Sequence, residues 1–270
     1  MLSRLQGKGL LAPSLAALLA FAMLVGLGTW QWHRKSWKED LIATIDTRIA
    51  ATPTPPEQWS NLDCRPMQEV GLAASCEFKM VRLSGRFDHG GERHIFTNVP
   101  RVSSAPGGPG YWILTPFELD GQPGSRIFVN RGFVPQARKE VAGRSEGQIS
   151  DRVELVGQIR STEQRSWFTN DNSPKANVWY LRNPRELLEV GPAESGPPGW
   201  QTAGPDPMEL YVEQISPTPP GGLPAPRPSR IEFPNRHLEY ALTWWGLSVT
   251  LIGVYVAFVL SRVRGWRPDV

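Results

Sequence analysis

Two long uncharged runs near the ends of the chain, a polar interior of roughly 190 residues made of short β-like segments, and 26 prolines that cluster in connectors predict one fold class. That class is a membrane-anchored α+β protein, with two transmembrane helices flanking a β-rich domain. The domain reads as an antiparallel barrel or a sandwich with one or two helices. The 29 basic residues against 26 acidic ones give a net charge of +3, and the arginines are scattered with several beside the apolar runs. This distribution suits a membrane surface and argues against nucleic-acid binding.

The first apolar run, residues 10–32, follows nine mostly polar residues with Arg4 and Lys8. Ala20, Phe21 and Ala22 offer a small-x-small pattern for signal cleavage, but the run continues about ten residues past it, which favours an uncleaved anchor. The second apolar run, residues 240–260, carries no Asp, Glu, Lys or Arg and covers the hydrocarbon core of about 30 Å as a helix. Trp30 and Trp32 close the first span; Tyr240, Trp244 and Trp245 open the second. These matching aromatic belts place the two ends on one side of the bilayer, as a hairpin requires. Arg4, Lys8, Arg262, Arg264 and Arg267 stand on one side, and Arg34, Lys35, Lys38, Arg48, Arg227, Arg230 and Arg236 on the other, so charge leaves the orientation undecided. The simpler arrangement keeps both ends cytoplasmic: 1–9 inside, 10–32 spanning, 33–236 outside, 237–260 spanning and 261–270 inside.

Past the first span, Leu41, Ile42, Ile45 and Ile49 recur at helical spacing over 37–50, an amphipathic continuation that the prolines at 53, 55 and 56 stop. Cys64 and Cys76 follow, as a disulfide or as two free thiols, with no neighbouring residues that suggest a metal. Strands are predicted over 78–87, 94–99, 111–119, 125–133, 153–159 and 210–215, with glycine-rich turns between them. A helix is predicted after Asn183, with Pro184 at its first position and Glu186 completing a capping box. Residues 216–228 form a second proline-rich connector, and 190–207 is rich in Gly and Pro.

Catalytic constellations are thin. Asp88, His89, Glu92 and His94 place acids beside imidazoles, which suits a metal or a general base, but they flank Gly90-Gly91 in what reads as a polar hairpin turn. Asn130 and Arg131 stand where a strand meets Gly132 and Pro135, as an acidic-partner site or a structural turn. The best candidate site is the collar of the second span. His237, Tyr240, Ala241, Trp244 and Ser248 share one helical face, which sets an imidazole above an aromatic and small-residue stripe at the water–lipid boundary.

The motifs fall in a distinctive order. They are Gly28-Thr29-Trp30-Gln31; Leu83-Ser84-Gly85-Arg86-Phe87-Asp88-His89; Tyr111-Trp112-Ile113-Leu114-Thr115-Pro116-Phe117; and Val129-Asn130-Arg131-Gly132-Phe133-Val134-Pro135. Trp167-Phe168-Thr169 with Asp171-Asn172-Ser173-Pro174 and Asn177-Val178-Trp179 follow, then Asn235 through Leu247. In this order, between two spans, the chain resembles the surfeit locus protein 1 family of cytochrome c oxidase assembly factors. Trp245 departs from the Tyr or Phe more usual there. The resemblance implies a non-enzymatic helper of the oxidase's catalytic subunit, with haem a synthase as a further partner. It also implies haem a as a transient cofactor, with His237 as the iron ligand. Trp244, Tyr240 and Trp30 would then flank the macrocycle, and Arg236 or Arg34 would meet a propionate. His33 is the rival or second ligand. Nine residues before the first span leave no room for a transit peptide, so the expected setting is a bacterial cytoplasmic membrane with the central domain periplasmic.

Overall fold

A computed structural model describes residues 9–65, 72–100, 107–121, 124–188, 206, 208–226 and 235–264. The expected connector 190–207 therefore lies almost wholly outside the described residues, as do Arg4, Lys8, Arg227, Arg230 and Arg267. The chain forms two compact units, one from Met1–Ala43 with Glu232–Val270 and one from Thr44–Ile231.

The first unit holds most of helix α1 (Leu11–Ala50) and the whole of the last helix, α3 (His237–Arg264). At 40 and 28 residues, both are long and apolar enough to cross a membrane. Their apolar side chains stay uncovered by protein: Leu19 is 71% exposed and Val249 68%. A soluble core helix would bury such residues, so lipid is their natural solvent and the chain is a membrane protein. The predicted span and its amphipathic continuation are one uninterrupted helix in α1.

The second unit is built on one curled sheet. Its strands are β1 (Met80–Phe87), β2 (Arg93–Val99), β3 (Gly108–Leu119), β4 (Arg126–Pro135), β5 (Val153–Ser161) and β6 (Leu210–Ser216). All six predicted strands are present, in the order β1-β5-β6-β4-β3-β2. The sheet curls until β1 also meets β3, at Gly85↔Leu119, Arg86↔Glu118 and Phe87↔Phe117. It is neither a sandwich nor a full barrel, because this closing seam spans only three residue pairs. Nor is it wholly antiparallel: β4 and β6 run parallel through Val129↔Val212 and Asn130↔Glu213. Leu83, Phe117, Ile127, Val129, Leu155 and Val212 pack inside the curl with almost no exposure.

Three local expectations are corrected. Residues 88–92 do not turn a hairpin, because β1 and β2 pair with successive stretches of the same strand: Phe87 faces Phe117 and Arg93 faces Leu114. The five residues between them stand opposite only Pro116 and Thr115, so they loop out of a nearly continuous edge. Asn130-Arg131-Gly132 is not a turn either, since β4 runs through it to Pro135 with Arg131 buried. The predicted helix is the single turn α2 (Pro184–Leu187), where the Asn183 side chain accepts from the Arg185 and Glu186 amides. Glu186 does not complete the capping box. Its carboxylate takes Arg165 at 2.7 Å and Asn172 at 2.8 Å instead.

Cys64 and Cys76 form a disulfide. Buried Glu213 accepts from Gln158 at 2.7 Å and Arg182 at 2.9 Å, which ties β5, β6 and the 162–183 loop together. A buried carboxylate is tolerable only with partners of this quality.

Gly85 is the residue at which β1 pairs on both sides, with Val153 of β5 and Leu119 of β3. A Cβ there would lie 1.9 Å from the Glu118 carbonyl oxygen, so only glycine lets the seam close. Gly85→Ala is therefore expected to destabilise the β domain by about 2 kcal/mol or more through overpacking. Limited proteolysis of the purified protein checks this; unchanged resistance and yield would refute it.

Candidate functional site

In the first unit, three contacts set the register of the helices. The Ser14 hydroxyl bonds the Tyr255 hydroxyl, Gly28 lies under the Trp245 indole, and Gln31 meets His237. Residue numbers rise along one helix as they fall along the other, so α1 and α3 pack as an antiparallel hairpin. On α1 the less exposed positions Ser14, Ala17, Phe21, Leu24, Gly28 and Gln31 recur at alternating spacings of three and four. On α3 the matching seam holds fully buried Ala241 and Ser248. Lipid tails are as apolar as leucine, so helices in a bilayer associate through close packing and polar contacts, and small residues permit both. A Cβ on Gly28 would stand 2.4 Å from two atoms of the Trp245 indole, which also lies 6.1 Å from the Trp32 ring.

At the mouth of this hairpin, His237 begins α3. Its Nδ1 lies 2.7 Å from Oε1 of Gln31. An amide oxygen only accepts, so Nδ1 donates here, and in the neutral imidazole Nε2 then carries the lone pair. No hydrogen bond to Nε2 occurs among the described residues. A neutral imidazole held in this tautomer is the form that ligates a metal.

The expected companions divide around it. Ala241 is part of the seam, Trp244 is half-buried, and Tyr240, Trp30 and Arg236 are exposed. Trp244 sits about 100° round the helix from Trp245, so the two adjacent indoles occupy different flanks of the seam. Arg34 stacks on Trp37 at 3.9 Å, and Lys35 pairs with Glu39 at 2.7 Å. His33 is exposed and lies two residues past Gln31, about 200° round α1, so it does not converge with His237. Sequence reading missed Gln31, the one side chain bonded to the histidine among the described residues. Its signal was present in Gly28-Thr29-Trp30-Gln31, where Gly28 and Gln31 share a face.

The second unit has its own polar centre, around Glu92. His94 Nε2 donates to this carboxylate at 2.7 Å, and the Arg144 guanidinium spans both oxygens, at 3.1 Å on one side and in a shorter contact on the other. Arg131 reaches toward it at 4.0 Å, lies 4.6 Å over the Phe87 ring and donates to the Gly147 carbonyl. Burial alone would raise the Glu92 carboxyl, but the bonds from His94 and Arg144 override it and hold the group at about 2. Burial also lowers Arg131, to about 10, and pushes His89 below its ordinary value. His89 donates from Nε2 to the Ile149 carbonyl at 2.9 Å and accepts from Arg131 at Nδ1, so it is neutral. Glu92, His94 and His89 gather with the two arginines inside the fold, whereas the part-exposed Asp88 meets Arg126 at 3.4 Å. Their arrangement is that of a buried ion cluster bracing the looped-out edge.

A profile of the SURF1 family matches residues 18–249, from within α1 to within α3. The chain is 35% identical over 241 residues to Surfeit locus protein 1 of Mus musculus, covering 85% of this chain and 70% of that protein. It is 34% identical over 234 residues to Surfeit locus protein 1 of Homo sapiens, covering 83% and 69%. With Surfeit locus protein 1 of Takifugu rubripes the identity is 30% over 259 residues, covering 92% and 97%.

The Glu92 cluster carries an acid dependence of known sign. Its carboxyl titrates at about 2 when folded against an ordinary 4.5, so its stabilisation is complete above 4.5 and is lost as pH falls toward 2. Glu92→Gln should cost about 3 kcal/mol at neutral pH and flatten that acid limb, because it leaves Arg144 unpaired in the interior. Thermal unfolding against pH for both proteins tests this; parallel acid limbs would refute it.

Proposed function

The chain belongs to the SURF1 family, and from that premise and the geometry of His237 we propose that it is an assembly factor for haem–copper cytochrome c oxidase. In this reading it is a non-enzymatic helper that holds haem a for the catalytic subunit at the mouth of the helix hairpin, with haem a synthase as a further partner. The observation that carries the reading is the His237–Gln31 hydrogen bond at the head of an apolar span, which leaves Nε2 available.

The residues present fit such a group. Haem iron takes an imidazole nitrogen, the long isoprenoid tail needs an apolar surround and the propionates need water or cations. His237 would supply the nitrogen. Exposed Tyr240 and Trp30, with half-buried Trp244, would flank the ring, the apolar faces of α1 and α3 would border the tail, and Arg236 would meet a propionate. When bound, haem a supplies the redox-active iron; the protein orients it and limits its exposure to water. We further propose a bacterial cytoplasmic membrane with the β domain on its outer face. The Cys64–Cys76 disulfide supports an oxidising compartment.

A second reading is a haem-free scaffold that stabilises an oxidase intermediate. It is favoured by Trp167 and Phe168, 95% and 71% exposed, on a loop braced by the Arg165–Glu186 and Asn172–Glu186 contacts. Rigid exposed aromatics of this kind are the usual anchors of protein interfaces.

Two measurements test these readings. With the haem a pathway co-expressed, purified wild type should show a haem Soret band that His237→Ala loses and His33→Ala keeps. Full haem content in His237→Ala would overturn the ligand assignment, and a colourless wild type that still co-purifies with the catalytic subunit would support the scaffold. For topology, alkaline phosphatase joined near Gly147 should be active and joined after Val270 inactive; the reverse pattern would overturn the placement.

A further inference from the structure

We propose that Gln31 is the positioning residue for His237: it holds the imidazole in the Nδ1–H tautomer and, as a neutral amide, makes Nε2 a weak and releasable ligand. The inference rests on the haem reading above and adds to it a reason for release.

Three observations support it. The bond is short, 2.7 Å, and joins residues 206 positions apart, so it is made by the packing of the hairpin and not by local sequence. Gln31 sits one turn from Gly28, on the same face, and Gly28 is locked beneath the Trp245 indole, so the amide's height along α1 is fixed by backbone contact. His237 begins α3 and is half-buried, so its ring is held on the Nδ1 side.

The choice of an amide carries the chemical consequence. Where the outer partner of a ligating imidazole is a carboxylate, it draws the Nδ1 proton and raises the donor strength of Nε2. An amide carbonyl fixes tautomer and ring orientation with much less of that pull. A permanent haem site benefits from the stronger partner; a site that must surrender its cargo benefits from the weaker.

The test has one arm without haem and one with it. In detergent-solubilised protein labelled with 15N-histidine, the His237 signals, assigned by their loss in His237→Ala, should show the Nδ1–H tautomer. Gln31→Leu should abolish that bias, whereas Gln31→Glu should keep it. A wild type in the Nε2–H form, or a tautomer unmoved in Gln31→Leu, would overturn the positioning role whatever haem does. In the second arm, haem a is added to each protein and its loss to a haem-scavenging globin is timed. Gln31→Leu should release it about 10-fold faster than wild type, and Gln31→Glu about 10-fold slower with a stiffer iron–imidazole stretch in the ferrous Raman spectrum. Equal release from wild type and Gln31→Glu would overturn the weak-ligand inference. A locked tautomer in a wild type that takes up no haem would overturn the haem reading while leaving the tautomer role standing.

Discussion

The contact of the Trp245 indole with the bare backbone of Gly28 fixes the register of the helix hairpin, and the geometry of the candidate site depends on that register. Hydrophobicity drives each span into the bilayer but does not choose how two spans align once inside. A notch on one helix and a large flat side chain on the other do choose. With Trp245 seated, His237 falls level with Gln31 and Tyr255 with Ser14. Trp245 is thus the residue that fills the seam, and its neighbour Trp244 is turned to another flank.

The β domain solves a different problem with similar means. A sheet that curls back on itself must bring two backbones together where its ends meet, and Gly85 permits this between β1 and β3. The looped-out residues 88–92 then bring Glu92 into the interior beside His94 of β2, where an unpaired carboxylate would be intolerable. Arg131 and Arg144 come from β4 and the segment after it, so the ion cluster joins parts of the chain distant in sequence. Breaking such a cluster costs more than forming it gained, which explains why four polar residues occupy space that apolar side chains would otherwise fill.

The sequence displayed whatever is local. Uncharged runs marked both spans, alternation and turn residues marked six strands, and Asn183-Pro184 marked a cap. What escaped depends on pairing between distant segments. The polar stretch 88–92 has the composition of a hairpin turn, and only its partners on β3 reveal a bulged edge. Arg131 in an Asn-Arg-Gly run has a turn's chemistry, and the Gly147 carbonyl, the Phe87 face and the buried Glu92 make a strand interior hospitable to it. The parallel β4–β6 pairing follows from the long path between those strands, which no local pattern encodes. At the site, His237 was legible because a lone imidazole beside an uncharged span is conspicuous. Gln31 was not, because a glutamine near the end of a span has many uses and its partner lies 206 residues away.

The site is itself part of the seam that positions it, so the energetics decide whether the ligand and the fold can be separated. An interhelical hydrogen bond within a bilayer contributes about 0.6 kcal/mol on average, rarely as much as 2. The hairpin has other holds: the Ser14–Tyr255 bond, the Trp245–Gly28 contact and the close approach at Ala241 and Ser248. Against these, the His237–Gln31 bond is a minor share of the packing while being the contact made at Nδ1 of the imidazole. A change at Gln31 or His237 therefore alters the chemistry of Nε2 far more than it loosens the helices. Enlarging Gly28 would do the reverse, displacing Trp245 and shifting the register on which the bond relies.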